Sequence, residues 1–175
     1  MFTLQLFLKR CLVGGIDRVF EINRDFRNEG VDATHAPEFT MVEAYQAYGN
    51  YDTIGALVKQ LVQDTAMDVF GSHKVTLLDG TEYDFGGEWK TISMYDSLSE
   101  ALGEEIVPNG GPDNPGTSVG HLGEIADKLG VERDDVENHG KLVEHLWEHF
   151  YEDKLYEPTF VRDFPVETSP LVKGH

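Results

Sequence analysis

The run Phe20-Glu21-Ile22-Asn23-Arg24-Asp25-Phe26-Arg27-Asn28-Glu29-Gly30, followed after a loop by Pro37-Glu38-Phe39-Thr40-Met41-Val42-Glu43-Ala44-Tyr45, decides how the rest of the sequence reads. Arg18 to Glu29 has strand character, Gly30 to Pro37 supplies turn residues, and Glu38 to Tyr48 reads as a second strand. Together they predict a long-looped antiparallel hairpin. Alternate side chains on a strand point to opposite faces. Phe20, Ile22 and Phe26 therefore share one face with Arg24 among them, while Asn23, Asp25, Arg27 and Glu29 share the other. On the second strand Phe39, Met41, Glu43 and Tyr45 fall together. One face is polar and ionisable, and a binding site accounts for that economically.

The residue types suggest what would bind. Arg27 offers a planar fork of donors suited to a carboxylate or a pair of phosphate oxygens. His35, in the turn, could add a donor to a distal phosphate. Phe39 presents a flat apolar surface for a purine. Glu43 and Tyr45, one strand repeat apart, suit an ammonium group. Spacing alone also admits a structural ion-pair network between two exposed strands. Arg24 reads as the partner of a neighbouring acid.

Outward from the hairpin, Leu4 to Leu12 predicts a short helix with Lys9 and Arg10 in its last turn and a stop at Gly14-Gly15. Ile54, Leu57, Val58, Leu61, Val62 and Val69 recur at helical spacing behind Asp52 and Thr53 as cap candidates. Val75 to Leu78 and Thr81 to Phe85 flank Asp79-Gly80, a type I′ hairpin signal. Tyr95 to Leu102, 121–129 and 140–151 read as helices, 104–120 as a mobile Gly/Pro/Asn-rich loop, and Thr159 to Phe164 as a strand. The order predicts an α+β fold with an antiparallel sheet rather than βαβ alternation.

Composition narrows the class. At 175 residues with 40% hydrophobic and 26% charged residues, the sequence fits one globular domain. No apolar run is long enough to span a membrane, and the N-terminal stretch lacks the marks of a signal peptide. A lone Cys11 excludes an internal disulfide and fits a reducing compartment, so a cytoplasmic protein with no membrane partner is expected. The net charge of −18 repels phosphate backbones, so any nucleic-acid contact needs a local basic area or further sequence. His145-Leu146-Trp147-Glu148-His149 spells an inverted zinc-protease motif, but Leu142, Leu146 and Trp147 read as a packing face. Asp84-Phe85-Gly86 spells a kinase motif at the end of a hairpin strand, where it reads as a turn.

Phe26-Arg27-Asn28-Glu29-Gly30 with Thr34-His35-Ala36-Pro37-Glu38-Phe39-Thr40-Met41 and Glu43-Ala44-Tyr45 resembles motif 2 of class II aminoacyl-tRNA synthetases in its lysyl version. Leu6 to Arg10, Val13 to Ile22, Gly140-Lys141-Leu142, Pro158-Thr159-Phe160 and Phe164 to Leu171 resemble the lysyl flanks, so the likeness runs nearly end to end. The aspartyl relatives usually carry Gln where Met41 stands, and Glu43 would repel an aspartate side chain. The resemblance implies the antiparallel class II synthetase sheet flanked by helices, incomplete. Residues 1–69 would form the motif 2 core, 70–157 a small helical and hairpin insertion, and 158–175 a return strand. It implies ATP-dependent activation of L-lysine to lysyl-adenylate and transfer to tRNA(Lys), with Mg2+ held by ligands outside this sequence and a homodimer in the intact protein.

By position, the resemblance implies that Arg27 binds the substrate carboxylate and α-phosphate as the catalytic residue. Glu29 would contact ATP towards adenine, His35 would contact its outer phosphates, and Phe39 would stack on adenine. Glu43 and Tyr45 would line the lysine pocket with Arg27. The family usually has Pro-Glu where this sequence has Leu4-Gln5, and that Glu is expected to hold the lysine α-amino group. Motifs 1 and 3 are absent, so a piece of a longer protein, inactive alone and with apolar surface uncovered, is expected. Alternatives are the corresponding domain of a membrane lysylphosphatidylglycerol synthase, a paralogue that lysylates a translation factor, and a non-catalytic ligand-binding module.

Overall fold

The computed structural model describes residues 3–26, 36–133 and 138–170, with side chains from Leu6 onward in the first helix. The chain divides into two compact units, Met1–Leu57 and Val58–His175.

In the first unit, helix α1 (Thr3–Val13) precedes strands β1 (Arg18–Phe26) and β2 (Glu38–Gln46). α1 stops as its glycines predict. Gly15 takes φ +95° and donates to Leu12 O, and Ile16 donates to Cys11 O, which together make a Schellman closure. β1 and β2 pair antiparallel in a register that sets Val19 opposite Tyr45, Glu21 opposite Glu43, Asn23 opposite Met41 and Asp25 opposite Phe39. That places all eight on one face. Phe20, Ile22, Phe26 and Val42 fall on the other, and each is more than half exposed.

Helix α2 (Tyr51–Phe70) contains the boundary between the units. Its cap lies earlier than expected. Asn50 Oδ1 accepts from Thr53 N at 2.9 Å while Thr53 Oγ1 accepts from Asn50 N, a reciprocal box in which Asn50, not Asp52 or Thr53, is the cap.

After the remainder of α2, the second unit continues with an antiparallel hairpin of β3 (Lys74–Thr76) and β4 (Glu82–Asp84). Its turn corrects the type I′ expectation. Gly80 has φ +88° but Asp79 does not enter positive φ, and Gly80 N bonds Leu77 O while Leu77 N bonds Thr81 O. This is a type I turn followed by a left-handed glycine, the three-residue hairpin with a bulge. Strand β5 (Lys90–Ser93) follows and was not expected from the sequence. It pairs in parallel with β6 (Thr159–Arg162), so one of the three ladders among the described residues departs from the antiparallel expectation. A parallel partner needs a long crossover, and the helices between the two strands provide it.

Those helices are α3 (Met94–Leu102), α4 (Val119–Leu129) and α5 (His139–Tyr151). Met94 and Leu98, Leu122 and Ala126, and Leu142 and Leu146 recur at helical spacing and are essentially inaccessible. With Tyr95, Ile106, Ile125, Val143 and Trp147 they form this unit's core. Each buried Leu, Ile, Val or Met among them contributes about 1.5–3 kcal/mol by leaving water. Ser93, Ser118 and Asn138 cap the three N-termini. The 104–118 segment has no helix or strand, yet it is closed by Val107–Thr117 and Gly110–Asn114 hydrogen bonds and anchored by Ile106 in the core.

The two motif spellings resolve as structure. Leu142, Leu146 and Trp147 of α5 are buried, and among the described residues no group of three or more His, Cys, Asp or Glu is placed to hold a metal. Asp84 Oδ1 accepts from Gly86 N at 2.9 Å, an Asx turn at the end of β4.

Candidate functional site

The candidate site is the odd-numbered face of the β1–β2 hairpin. Phe39, Glu43 and Tyr45 share it, as expected, with Glu21, Asn23, Asp25 and Met41. Arg27, Glu29 and His35 lie outside the described residues, as does the Gln5 side chain. Phe39 stands opposite Asp25 and Glu43 opposite Glu21. Four residues of strand, at about 3.3 Å each, separate the aromatic platform from the carboxylate by about 13 Å. A flat apolar ring and a carboxylate thus stand well apart on one strand.

The carboxylate end is electrostatically unbalanced. Glu21 and Glu43 are direct cross-strand partners, an arrangement that destabilises a ladder when both are charged. Glu43 Oε2 is buried and has no hydrogen-bond partner. Leaving such an acceptor unmet costs about 1–3 kcal/mol, and more when it is charged. Glu21, Asn23, Asp25, Met41 and Glu43 line a cavity of about 10 Å³, the room of one water-sized group. Among the described residues, no Lys, Arg or His forms an ion pair with Glu21 or Glu43. A small cationic donor would balance this corner.

Tyr45 sits beside it. Its hydroxyl pKa is pushed up by burial and then by the Glu43 carboxylate, which keeps the phenol protonated and polar. The Lys9 ammonium lies 5.6 Å from the Tyr45 ring centroid, so α1 already sets one cation against this ring. Reading by motif missed both Glu21 and Lys9. Period-two alternation would have found Glu21, which shares parity with Asn23 and Asp25. Nothing in the spacing marks Lys9, because helix-to-strand packing brings it there. Arg24 belongs to the other face and pairs with Glu38 at 3.0 Å, as expected of it.

Comparison with known proteins adds the lineage. The model of the family described as tRNA synthetases class II (D, K and N) matches residues 1–175. The chain is 63% identical over 172 residues to a lysine–tRNA ligase of Kineococcus radiotolerans, a match spanning 98% of this chain and 33% of that protein. It is 58% identical over 173 residues to a lysine–tRNA ligase of Mycolicibacterium gilvum, with 98% and 33% covered. It is 51% identical over 177 residues to lysine–tRNA ligase 1 of Mycobacterium tuberculosis H37Rv, with 98% and 34% covered. The chain thus spans about a third of the length of these curated relatives. Among the described residues, no helix is long and apolar enough to cross a membrane. On the match along its whole length, the chain belongs to the class II tRNA synthetase family of the D, K and N type.

Proposed function

We propose that the β1–β2 hairpin holds ATP and L-lysine, and that the protein carrying it activates lysine to lysyl-adenylate and transfers it to tRNA(Lys). The observation that carries this reading is the shared face of Phe39, Glu43 and Tyr45, with a buried, unpartnered Glu43 oxygen beside a water-sized cavity. The names of the relatives, lysine–tRNA ligases, agree with a lysine substrate. Phe39 stacks on adenine, Glu29 contacts the nucleotide at that end, and His35 contacts the outer phosphates. Glu43 and Tyr45 receive the lysine ammonium, and Arg27 bridges the lysine carboxylate and the α-phosphate.

A lysine carboxylate oxygen attacks the α-phosphorus while the bond to the β-phosphate oxygen breaks, and pyrophosphate leaves. Arg27 neutralises charge on the phosphoryl oxygens, so catalysis rests on positioning and electrostatics. Magnesium, when bound with ATP, would neutralise charge on its phosphates. We assign the metal's ligands to parts of the protein outside this sequence. Residues 1–69 are the motif 2 core, 70–157 an insertion and 158–175 the return towards the core. The intact protein works as a cytoplasmic homodimer.

Lysine-dependent ATP–pyrophosphate exchange by the gene product that carries this sequence tests the reading. Exchange with lysine and not with aspartate or asparagine is expected, with a loss of at least about tenfold in Glu43→Gln, since removing one charge-assisted bond costs about 1.5–3 kcal/mol. The isolated 175-residue chain should show no turnover. Exchange driven by aspartate instead would overturn the assignment.

A further inference from the structure

We propose that Glu21 is a substrate-positioning residue, the second carboxylate of the seat that Glu43 and Tyr45 offer to a primary ammonium. This rests on the reading of Glu43 and Tyr45 given above and adds a residue to it. Glu21 lies directly across the ladder from Glu43, and both line the same small cavity with Asn23. Asn23 holds Glu21 in place. Its Nδ2 donates to Glu21 Oε1 at 3.3 Å, while its Oδ1 accepts from Arg24 N at 2.8 Å and so fixes the amide's orientation.

The buried, unpartnered Oε2 of Glu43 says the corner is built for a donor. Two opposed carboxylates say that the donor carries positive charge. The cavity, about 10 Å³, admits a head group the size of water. An –NH3+ group meets all three conditions. A guanidinium is too wide, and a quaternary ammonium has no N–H to give. Lys9 does not supply the charge, since it faces the Tyr45 ring and makes no ion pair with either glutamate. The pair therefore selects a lysine side chain by its terminal amine, with each glutamate taking one N–H.

Titration calorimetry on the gene product that carries this sequence tests this, with L-lysine, L-norleucine (the same chain without the amine) and ATP as separate probes. Glu21→Gln should weaken lysine binding by roughly tenfold to a hundredfold, the range for one charge-assisted hydrogen bond, and leave ATP and norleucine within about twofold. The unliganded variant should melt no lower than the parent, because a like-charge contact has been removed. Equal loss of all three ligands would mean a structural role and overturn the inference. Unchanged lysine binding in Glu21→Gln, alongside loss in Glu43→Gln, would sink Glu21's role and leave the lysine site standing. No lysine binding by the parent, or none lost in Glu43→Gln, would overturn both. Should Glu21→Gln not fold, Glu21→Asp decides. It keeps the charge but draws it back one methylene, so lysine affinity should drop with norleucine unchanged, and a parent-like lysine affinity would overturn the proposal.

Discussion

Lys9 and Tyr45 illustrate how one contact shapes a site side chain. The Lys9 ammonium stands 5.6 Å from the Tyr45 ring centroid on the surface of α1, where a cation–π contact is worth about 0.5–1 kcal/mol. Lys9→Met should lower the unfolding free energy by that amount, read as a lower denaturant midpoint at unchanged m, and Lys9→Arg should restore it. Equal midpoints for all three would show the contact to be energetically empty. Glu148 of α5 behaves differently. Its carboxyl pKa is raised by burial first, and then by Glu152 and Glu144, with His145 opposing. A carboxyl whose pKa is higher in the folded state contributes fully below its ordinary value of 4.5 and loses that contribution as pH rises. Glu148→Gln should therefore raise the melting temperature at pH 7 and lose the advantage below about pH 4, as thermal scans at the two pH values would show. Much of the candidate site was legible at this scale, because carboxylate, phenol and phenyl groups at period two state their face. Lys9 was not legible, since its partner lies 36 positions along the chain.

Among the elements, the three-helix core of the second unit concentrates the stability. Leu146 is wholly buried, and Leu146→Ala should cost about 2–5 kcal/mol in urea unfolding, with Asn138→Ala costing about 1 kcal/mol through its lost cap. A buried polar link ties α3 to α5. His139 Nδ1 donates to Thr117 O at 2.8 Å, which leaves Nε2 to accept from Tyr95 OH at 3.2 Å. Tyr95 itself has its pKa driven well above the usual phenol value by burial, then by Glu167 and Glu144. Its contribution is complete below pH 10, and stability should fall by up to about 1.4 kcal/mol per pH unit above that, a slope Tyr95→Phe would remove. The helices were legible because apolar residues recur at 3.6 spacing between Ser, Asn and Gly punctuation. The Asp79-Gly80 turn was half legible. Its glycine takes positive φ, but whether the preceding residue follows is settled by the twist and register of the flanking strands.

At the scale of the molecule, charge is the dominant property. A net −18 on 175 residues works against compaction, and salt screens it over about 10 Å at 0.1 M. Raising NaCl from 0.05 to 0.5 M (about 14 to 4 Å of screening) should raise the melting temperature of the isolated chain, and a fall would mean that ion pairs outweigh repulsion. The exposed face of Phe20, Ile22, Phe26 and Val42 should bind a hydrophobic dye in the same preparation.

From the sequence alone came the helices, the hairpin and its two faces, the family likeness and the placing of Phe39, Glu43 and Tyr45 together on one face. Each depends on periodicity or on a local motif, information carried within a dozen neighbouring positions. Only the tertiary structure decided that β5 exists and runs parallel to β6, that Lys9 lies against Tyr45, and that Glu21 faces Glu43 beside an unpartnered oxygen. Four residues of Lys90–Ser93 have too little pattern to announce a strand, and their partner lies far along the chain, where Ile92 and Val161 pair and pack against the helical core. Register, likewise, is a property of two strands together, and neither one encodes it alone.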